Sequence, residues 1–382
     1  MSIYKWMLLV MLSGFVACGD GNSDESLARP DALGEFGVGH TTFTAVDSAR
    51  DDRPLLMDVW YPTDTVADPT VADVSYALSP LFGLESDIAV SEAPVSNRSE
   101  QTLLVFSHGY GGIHLQAIEL METLASHGFI VASAEHTGNA QASNTDSFDV
   151  AASNRVPDVS FVIDTMLARN ADSADLFFGR IRSEGVGVLG HSFGGMTTLG
   201  SVAGWAGAPA DPRVAAIAPM SAVIQADLQQ TERTSPHAGF TPEQLQGIEV
   251  PAMLIGGTLD EDVWIENNEV GFERMTSAPS LYKVDIAGAT HTHFTNVCTI
   301  GSMLIELGLT RDMWPTIGAA DLEVPYEDTC SEGAFPVSEV NRLLNVYVVS
   351  FFRHHLLGHT GYQQYLTQDY AEGEPAIELT LR

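Results

Sequence analysis

Lysine is almost missing from this chain: among 382 residues it occurs only at Lys5 and Lys283, and Lys plus Arg total 17 against 50 Asp plus Glu, a net charge of -33. Clustered basic side chains, which neutralise phosphates and dock proteins onto anionic lipid headgroups, are therefore lacking, and this excludes nucleic acid as a partner and a basic membrane-docking face. Cysteine is scarce too, with three residues and no C-x-x-C spacing, so a structural zinc site has no ligand framework. No apolar run reaches the roughly 20 residues that a spanning helix needs, and no internal repeat is present. What remains is 45% hydrophobic and 18% charged, enough apolar surface for a large buried core. The acidity reads as a solvating surface suited to salty or extracellular conditions.

The N-terminus differs from the rest. Lys5 precedes the apolar run 6–12, and Ser13-Gly14-Phe15-Val16-Ala17-Cys18-Gly19 follows. This has the form of a secretory signal peptide, and Cys18 after small residues resembles a bacterial lipobox despite Phe15. Residues 1–18 are thus expected to be a signal of lipoprotein type with Cys18 lipidated; plain cleavage and release into the periplasm or medium is the alternative. The polar stretch 19–36 reads as a flexible tether. Export puts Cys298 and Cys330 in an oxidising compartment, where an even pair is expected to form a disulfide.

From residue 37 to 382 a single α/β domain is expected. Apolar runs at 55–61, 102–106, 129–134, 186–189, 214–218, 252–255 and 281–286 read as strands. They alternate with helical segments at 115–126, after Pro157 in the first-turn position, from Gly194, and from 339 to 357. Such alternation implies a mostly parallel central sheet covered by helices on both faces. The polar stretches 138–154, 225–246 and 298–330 read as insertions into it.

Chemistry enters at Gly190-His191-Ser192-Phe193-Gly194-Gly195, a G-x-S-x-G pattern between a strand and a helix. That is the strand-turn-helix context of a nucleophile elbow, with Ser192 as nucleophile. A serine hydroxyl needs a base and the base an orienting carboxylate, which in such folds follow in the order Ser, acid, His. Asp260 ends the strand and Gly turn 252–259 and is the acid of choice, with Glu261 and Asp262 as competitors. His291 stands at G-x-x-H spacing after the strand 281–286 and is preferred as base to His293. The oxyanion donors are expected to be the N–H of Phe193 and the N–H of Tyr110, in the H-G-x-G-G loop His108–Gly112 that follows the strand 102–106. His108 itself reads as a structural hydrogen-bonding residue.

With these pieces in place the chain resembles the platelet-activating-factor acetylhydrolase-like and dienelactone-hydrolase-like group of α/β-hydrolases. The resemblance rests on D-V-W-Y-P at 58–62, F-S-H-G-Y-G-G at 106–112, S-H-G-F-I-V-A-S-A-E-H at 126–136, G-H-S-F-G-G at 190–195 and G-A-T-H-T-H-F at 288–294. It implies a metal-independent, cofactor-free serine esterase acting on short or oxidised acyl esters or on phospholipids. True dienelactone hydrolases carry Cys at the position of Ser192. Polyester-degrading hydrolases share the catalytic order but usually have Met or Trp at the position of Phe193. A lipoprotein that binds a hydrophobic ligand without catalysis is the competing expectation.

Overall fold

The computed structural model describes residues 27–66, 69–78, 82–231 and 234–382. The expected signal 1–18, with Cys18, and residues 19–26 of the expected tether lie outside the described residues. Ten strands form the main sheet: β1 (Gly37–Asp47), β2 (Arg53–Thr63), β3 (Ala89–Ser91), β4 (Thr102–Ser107), β5 (Phe129–Ala134), β6 (Val186–His191), β7 (Val214–Met220), β8 (Ala252–Gly257), β9 (Leu281–Ile286) and β10 (Ile377–Leu381). Their spatial order is β10-β9-β8-β7-β6-β4-β5-β2-β1-β3. The six strands from β5 to β9 across the middle run parallel, while β2 is antiparallel to β5 and β10 to β9.

Every residue of β4, β5, β6, β8 and β9 is buried, which is why four of them read as mainly apolar runs instead of alternating ones; β9 departs from this by carrying the buried Lys283 and Asp285. Two hydrophobic cores flank the sheet. One is built on α1 (Ile118–Ser126) and the C-terminal helix, against Leu104, Phe106, Val131 and Leu189. The other is built on α2 (Phe148–Ala171) and α3 (Phe193–Ala203), against Leu103, Val105, Ile130 and Val188. Side chains alternate across each strand, so neighbours in sequence feed opposite cores.

Helix α2 departs from expectation. It begins at Ser147, whose hydroxyl accepts from the N–H of Val150, so Pro157 lies in the helix interior and not in its first turn. A proline there removes one helical hydrogen bond at a cost of about 3 kcal/mol. Ser153, whose carbonyl loses its partner, is exposed and can meet water. Burial of Ala151, Ala152, Val156, Val159, Val162 and Ile163 on either side of Pro157 offsets the cost. Part of the stretch 138–154 read as an insertion is consequently helix.

The expected C-terminal helix spans Val337–Leu344 and Ser350–His355, joined by a π turn over Asn345–Val349. Within it, residues 346 to 353 are buried without a break, a run that one stripe of a regular α-helix cannot supply. The 298–330 insertion is a small helical lobe, α4 (Val297–Glu306) and α5 (Glu323–Cys330), packed around the buried Trp314. A Cys298–Cys330 disulfide closes it, with Cα atoms 5.5 Å apart.

Residues 27–36 were read as the end of a tether, yet they are fastened to the domain. Gly34 N–H donates to Ser126 Oγ at 2.9 Å, His127 Nε2 donates to Ala32 O at 2.9 Å and Tyr362 Oη donates to Ala28 O at 2.9 Å. Phe36 is buried beneath them. The polar composition of this stretch conceals backbone groups that bond to the domain, a feature invisible to hydropathy.

Candidate active site

The turn between β6 and α3 holds Ser192 at φ 58°, ψ -118°, a left-handed conformation that a non-glycine residue adopts only when its surroundings impose it. The flanking glycines are what permits it. A Cβ at Gly190 would sit 2.5 Å from Gly194 O, and one at Gly194 would sit 1.8 Å from Ser107 O. The turn is pinned by Ser192 N–H to Met220 O at 2.8 Å and by Met196 N–H to Ser192 O at 3.0 Å. Strand β6 thus presents Ser192 at the carboxyl edge of the sheet.

The loops after β8 and β9 end at the same edge. His291 Nδ1 bonds Asp260 Oδ2 at 2.8 Å, and Asp260 Oδ1 accepts from the N–H groups of Asp262 (3.0 Å) and Val263 (2.8 Å). A carboxylate facing Nδ1 requires a proton there, which leaves Nε2 as the basic nitrogen. Burial lowers the His291 pKa, but the charge and hydrogen bond of Asp260, with a further contribution from Asp262, more than offset it, so the net value lies above the ordinary 6.5. Of the three carboxylates weighed from sequence, Asp260 is the one bonded to the imidazole. His293 points elsewhere: its Nδ1 accepts from Thr290 N–H and its Nε2 donates to Phe335 O, both at 2.9 Å.

Ser192 and His291 line a common cavity of about 280 Å³ with Tyr110, Phe148, Phe193, Met196, Val223, Gln229, Thr231, Asp262 and Val263. One wall is apolar, with the rings of Tyr110 and Phe148 at 5.3 and 5.1 Å from that of Phe193. The other, from Gln229 to Asp262, is polar. Among the described residues, no cluster of three or more His, Cys, Asp or Glu could hold a metal ion.

The backbone around Tyr110 is set from below by Arg155, which the sequence reading did not single out. This guanidinium is fully buried in α2 and donates to Ser107 Oγ (3.2 Å), to His108 O, to Gly109 O (2.9 Å) and to Asn139 Oδ1 (2.6 Å). In a trans peptide the N–H points opposite to the C=O. Because Gly109 O faces Arg155, the N–H of Tyr110 faces away from it, the orientation an oxyanion donor needs. Arg155 also lies over the Phe193 ring at 4.8 Å. His108 is structural as expected, with Nδ1 donating to Gly109 O (2.8 Å) and Nε2 accepting from His136 N–H (3.1 Å).

A second Ser-His-Asp arrangement lies beneath. His136 Nδ1 bonds Asp158 Oδ2 and its Nε2 bonds Ser107 Oγ, both at 2.9 Å. Asp158 is held far below the usual carboxylate range: burial raises its pKa, but hydrogen bonds from His136 and Arg53 outweigh that. Ser107 has no accessible surface. This trio therefore holds Ser107 and Arg155 in place and has no route to a substrate. Proximity in sequence gave no sign of it, since its members stand 22 and 29 residues apart.

These geometries agree with what the chain is similar to. The profile of the family "Platelet-activating factor acetylhydrolase, isoform II" matches residues 74–175, a stretch that holds the loop 108–112 and α2. The solved structure of a ferulic acid esterase from Streptomyces cinnamoneus superposes with a TM-score of 0.61 at 22% identity, covering 90% of this chain and 96% of that one. The chain has the α/β-hydrolase fold and, over residues 74–175, is similar to the platelet-activating factor acetylhydrolases. No curated protein sequence gives a significant match. Ser192, Asp260 and His291 each follow a strand at the carboxyl edge of the sheet, the edge where open α/β folds carry their chemistry.

Proposed function

We propose that this α/β-hydrolase is a serine carboxylic ester hydrolase that cleaves short-acyl or lipid-like esters through an acyl-enzyme. One observation carries the reading: Ser192, in a strained turn, and His291, paired with a buried Asp260, line one cavity. Ser192 Oγ attacks the ester carbonyl as its proton passes to His291 Nε2, and the N–H groups of Tyr110 and Phe193 stabilise the oxyanion. Collapse of the tetrahedral intermediate expels the alcohol, which takes the proton from His291. Water, deprotonated by the same nitrogen, then frees the acid and restores Ser192.

The cavity volume supports a small acyl group, because about 280 Å³ lies just below the range of typical ligand pockets, roughly 300–1,000 Å³. In the same reading the chain is exported and either held by a lipid at Cys18 or released after cleavage, and the Cys298–Cys330 disulfide suits such a compartment. The test is a nitrophenyl ester series from acetate to dodecanoate, run beside labelling with a fluorophosphonate probe. Acetate and butyrate should turn over fastest, and Ser192→Ala should abolish both turnover and labelling. Equal labelling of wild type and Ser192→Ala would sink the proposal.

A further inference from the structure

Three loops must hold their mutual positions for this chemistry: the oxyanion loop after β4, the elbow after β6 and the base loop after β9. One hydrogen-bonded path joins all three. Gly109 N–H in the oxyanion loop donates to Gln116 Oε1 at 2.9 Å. The Gln116 amide lies 3.2 Å from Nδ1 of His191, the residue before the nucleophile. His191 Nε2 lies 2.9 Å from the carbonyl oxygen of His291.

The two ends of this path fix every proton in it. A backbone N–H can only donate, so the Gln116 oxygen faces Gly109 and its NH2 faces His191. A backbone carbonyl can only accept, so His191 carries its proton on Nε2 and accepts at Nδ1. Both assignments meet at His191 without conflict, and they demand a neutral ring. Burial and the neighbouring His291 hold the His191 pKa well below the ordinary value, in keeping with that demand. The ring centroids of His191 and His291 lie 4.5 Å apart with their planes tilted by 48°, so the bonded carbonyl and the neighbouring ring belong to the same base. The Gln116 backbone joins the base loop as well: Asn296 N–H donates to Gln116 O at 2.8 Å, and Asn296 Nδ2 donates to Leu115 O at 2.7 Å.

We propose that Gln116 and His191 are positioning residues that lock the oxyanion loop and the catalytic base to one another through the elbow. The inference rests on the ester-hydrolase reading of this site. Neither side chain touches the reacting atoms. Gln116 senses the peptide that precedes the Tyr110 donor, and His191 holds the backbone of His291. Loss of either lets the base and the oxyanion donors drift apart, and a displacement on the order of 1 Å costs about 100-fold in rate.

The test compares Gln116→Leu, His191→Gln and His191→Phe with wild type. Because Gln116 is only half-buried, its leucine variant is expected to fold with an unchanged far-UV spectrum. Its kcat on nitrophenyl acetate should fall about 10- to 100-fold with KM nearly constant. His191→Gln keeps an N–H that can reach the His291 carbonyl and should retain more kcat than His191→Phe. Histidine 15N spectra of the wild type should show His191 as the neutral Nε2–H tautomer, and those of Gln116→Leu should show it leaving that state. Full kcat in a folded Gln116→Leu, or an Nδ1–H tautomer for His191 in wild type, would overturn the proposal. Should the wild type neither hydrolyse esters nor react with the fluorophosphonate probe, the ester-hydrolase reading fails, while the 15N spectra still decide the relay.

Discussion

At the scale of single residues the proposed chemistry turns on the Asp260–His291 pair. The base must be neutral to accept a proton, so kcat/KM should rise with pH through the His291 pKa, which Asp260 holds above the ordinary 6.5. Asp260→Asn removes the larger raising influences and leaves burial, which lowers the pKa, opposed only by the smaller contribution of Asp262. The acid limb of the pH–rate profile should then move to lower pH, and turnover should drop by roughly three to four orders of magnitude because the imidazole loses its tautomer and its orientation. A pH-rate series on both proteins reads both effects at once. Ser192, Asp260 and His291 were legible because each has a fixed offset from a strand end. Arg155 and Gln116 were not, because their partners are far away in sequence: Gln116 meets His191 across 75 residues and Arg155 meets His108 across 47. Phe148 was hidden for another reason, since the turn that begins α2 lay in a stretch whose polarity read as loop.

At the scale of elements, buried runs were legible and exposed or interrupted ones were not. Strands β4, β5, β6, β8 and β9 are buried throughout and predominantly apolar, and read clearly, whereas β1 mixes buried and exposed positions and β10, on the sheet edge, is mostly uncovered. Pro157 misled because its usual meaning is a helix start, and here tertiary burial overrides it. The helical lobe offers the sharpest test at this scale. Thr329 of α5 bonds Thr292 at 2.6 Å and Thr290 at 3.0 Å, the residues on either side of His291. Closing a loop of 32 residues contributes about 3 to 4 kcal/mol in the chain-entropy account. Cys298→Ser should therefore lower the unfolding free energy by about that much in urea, and it should lower kcat as well, because the lobe braces the base loop. A variant with unchanged urea midpoint would show that the lobe is held by its Trp314 core alone.

For the whole molecule the buried histidines set the dependence of stability on pH. Burial lowers the pKa of His127 and of His136 to about 4, and carries those of His108 and His191 well below the ordinary value. As pH falls below about 6.5 the unfolded chain takes up protons that these native rings refuse, so stability is lost from there down to about 4. His114 acts in the opposite sense. Burial lowers its pKa, but bonds to Asp58 and Glu135 raise it to about 9, so its contribution is complete below about 6.5 and fades as pH climbs through 9. Glu122 and Asp285, whose pKa values burial raises, soften the acid loss without reversing it. The melting temperature should peak between about pH 6.5 and 7 and fall more steeply on the acid side; a flat profile from pH 7 to 5 would contradict this.

The molecule also has two poles. Residues 27–36 bond to Ser126 and His127, just ahead of the first residue of β5, and so they lie at the edge of the sheet where the parallel strands begin. Ser192, Asp260 and His291 lie at the edge where those strands end. Leu27 therefore leads into the domain at the pole opposite Ser192, Asp260 and His291. Under the proposed anchoring at Cys18, the proposed ester chemistry would take place at the pole facing away from the anchor.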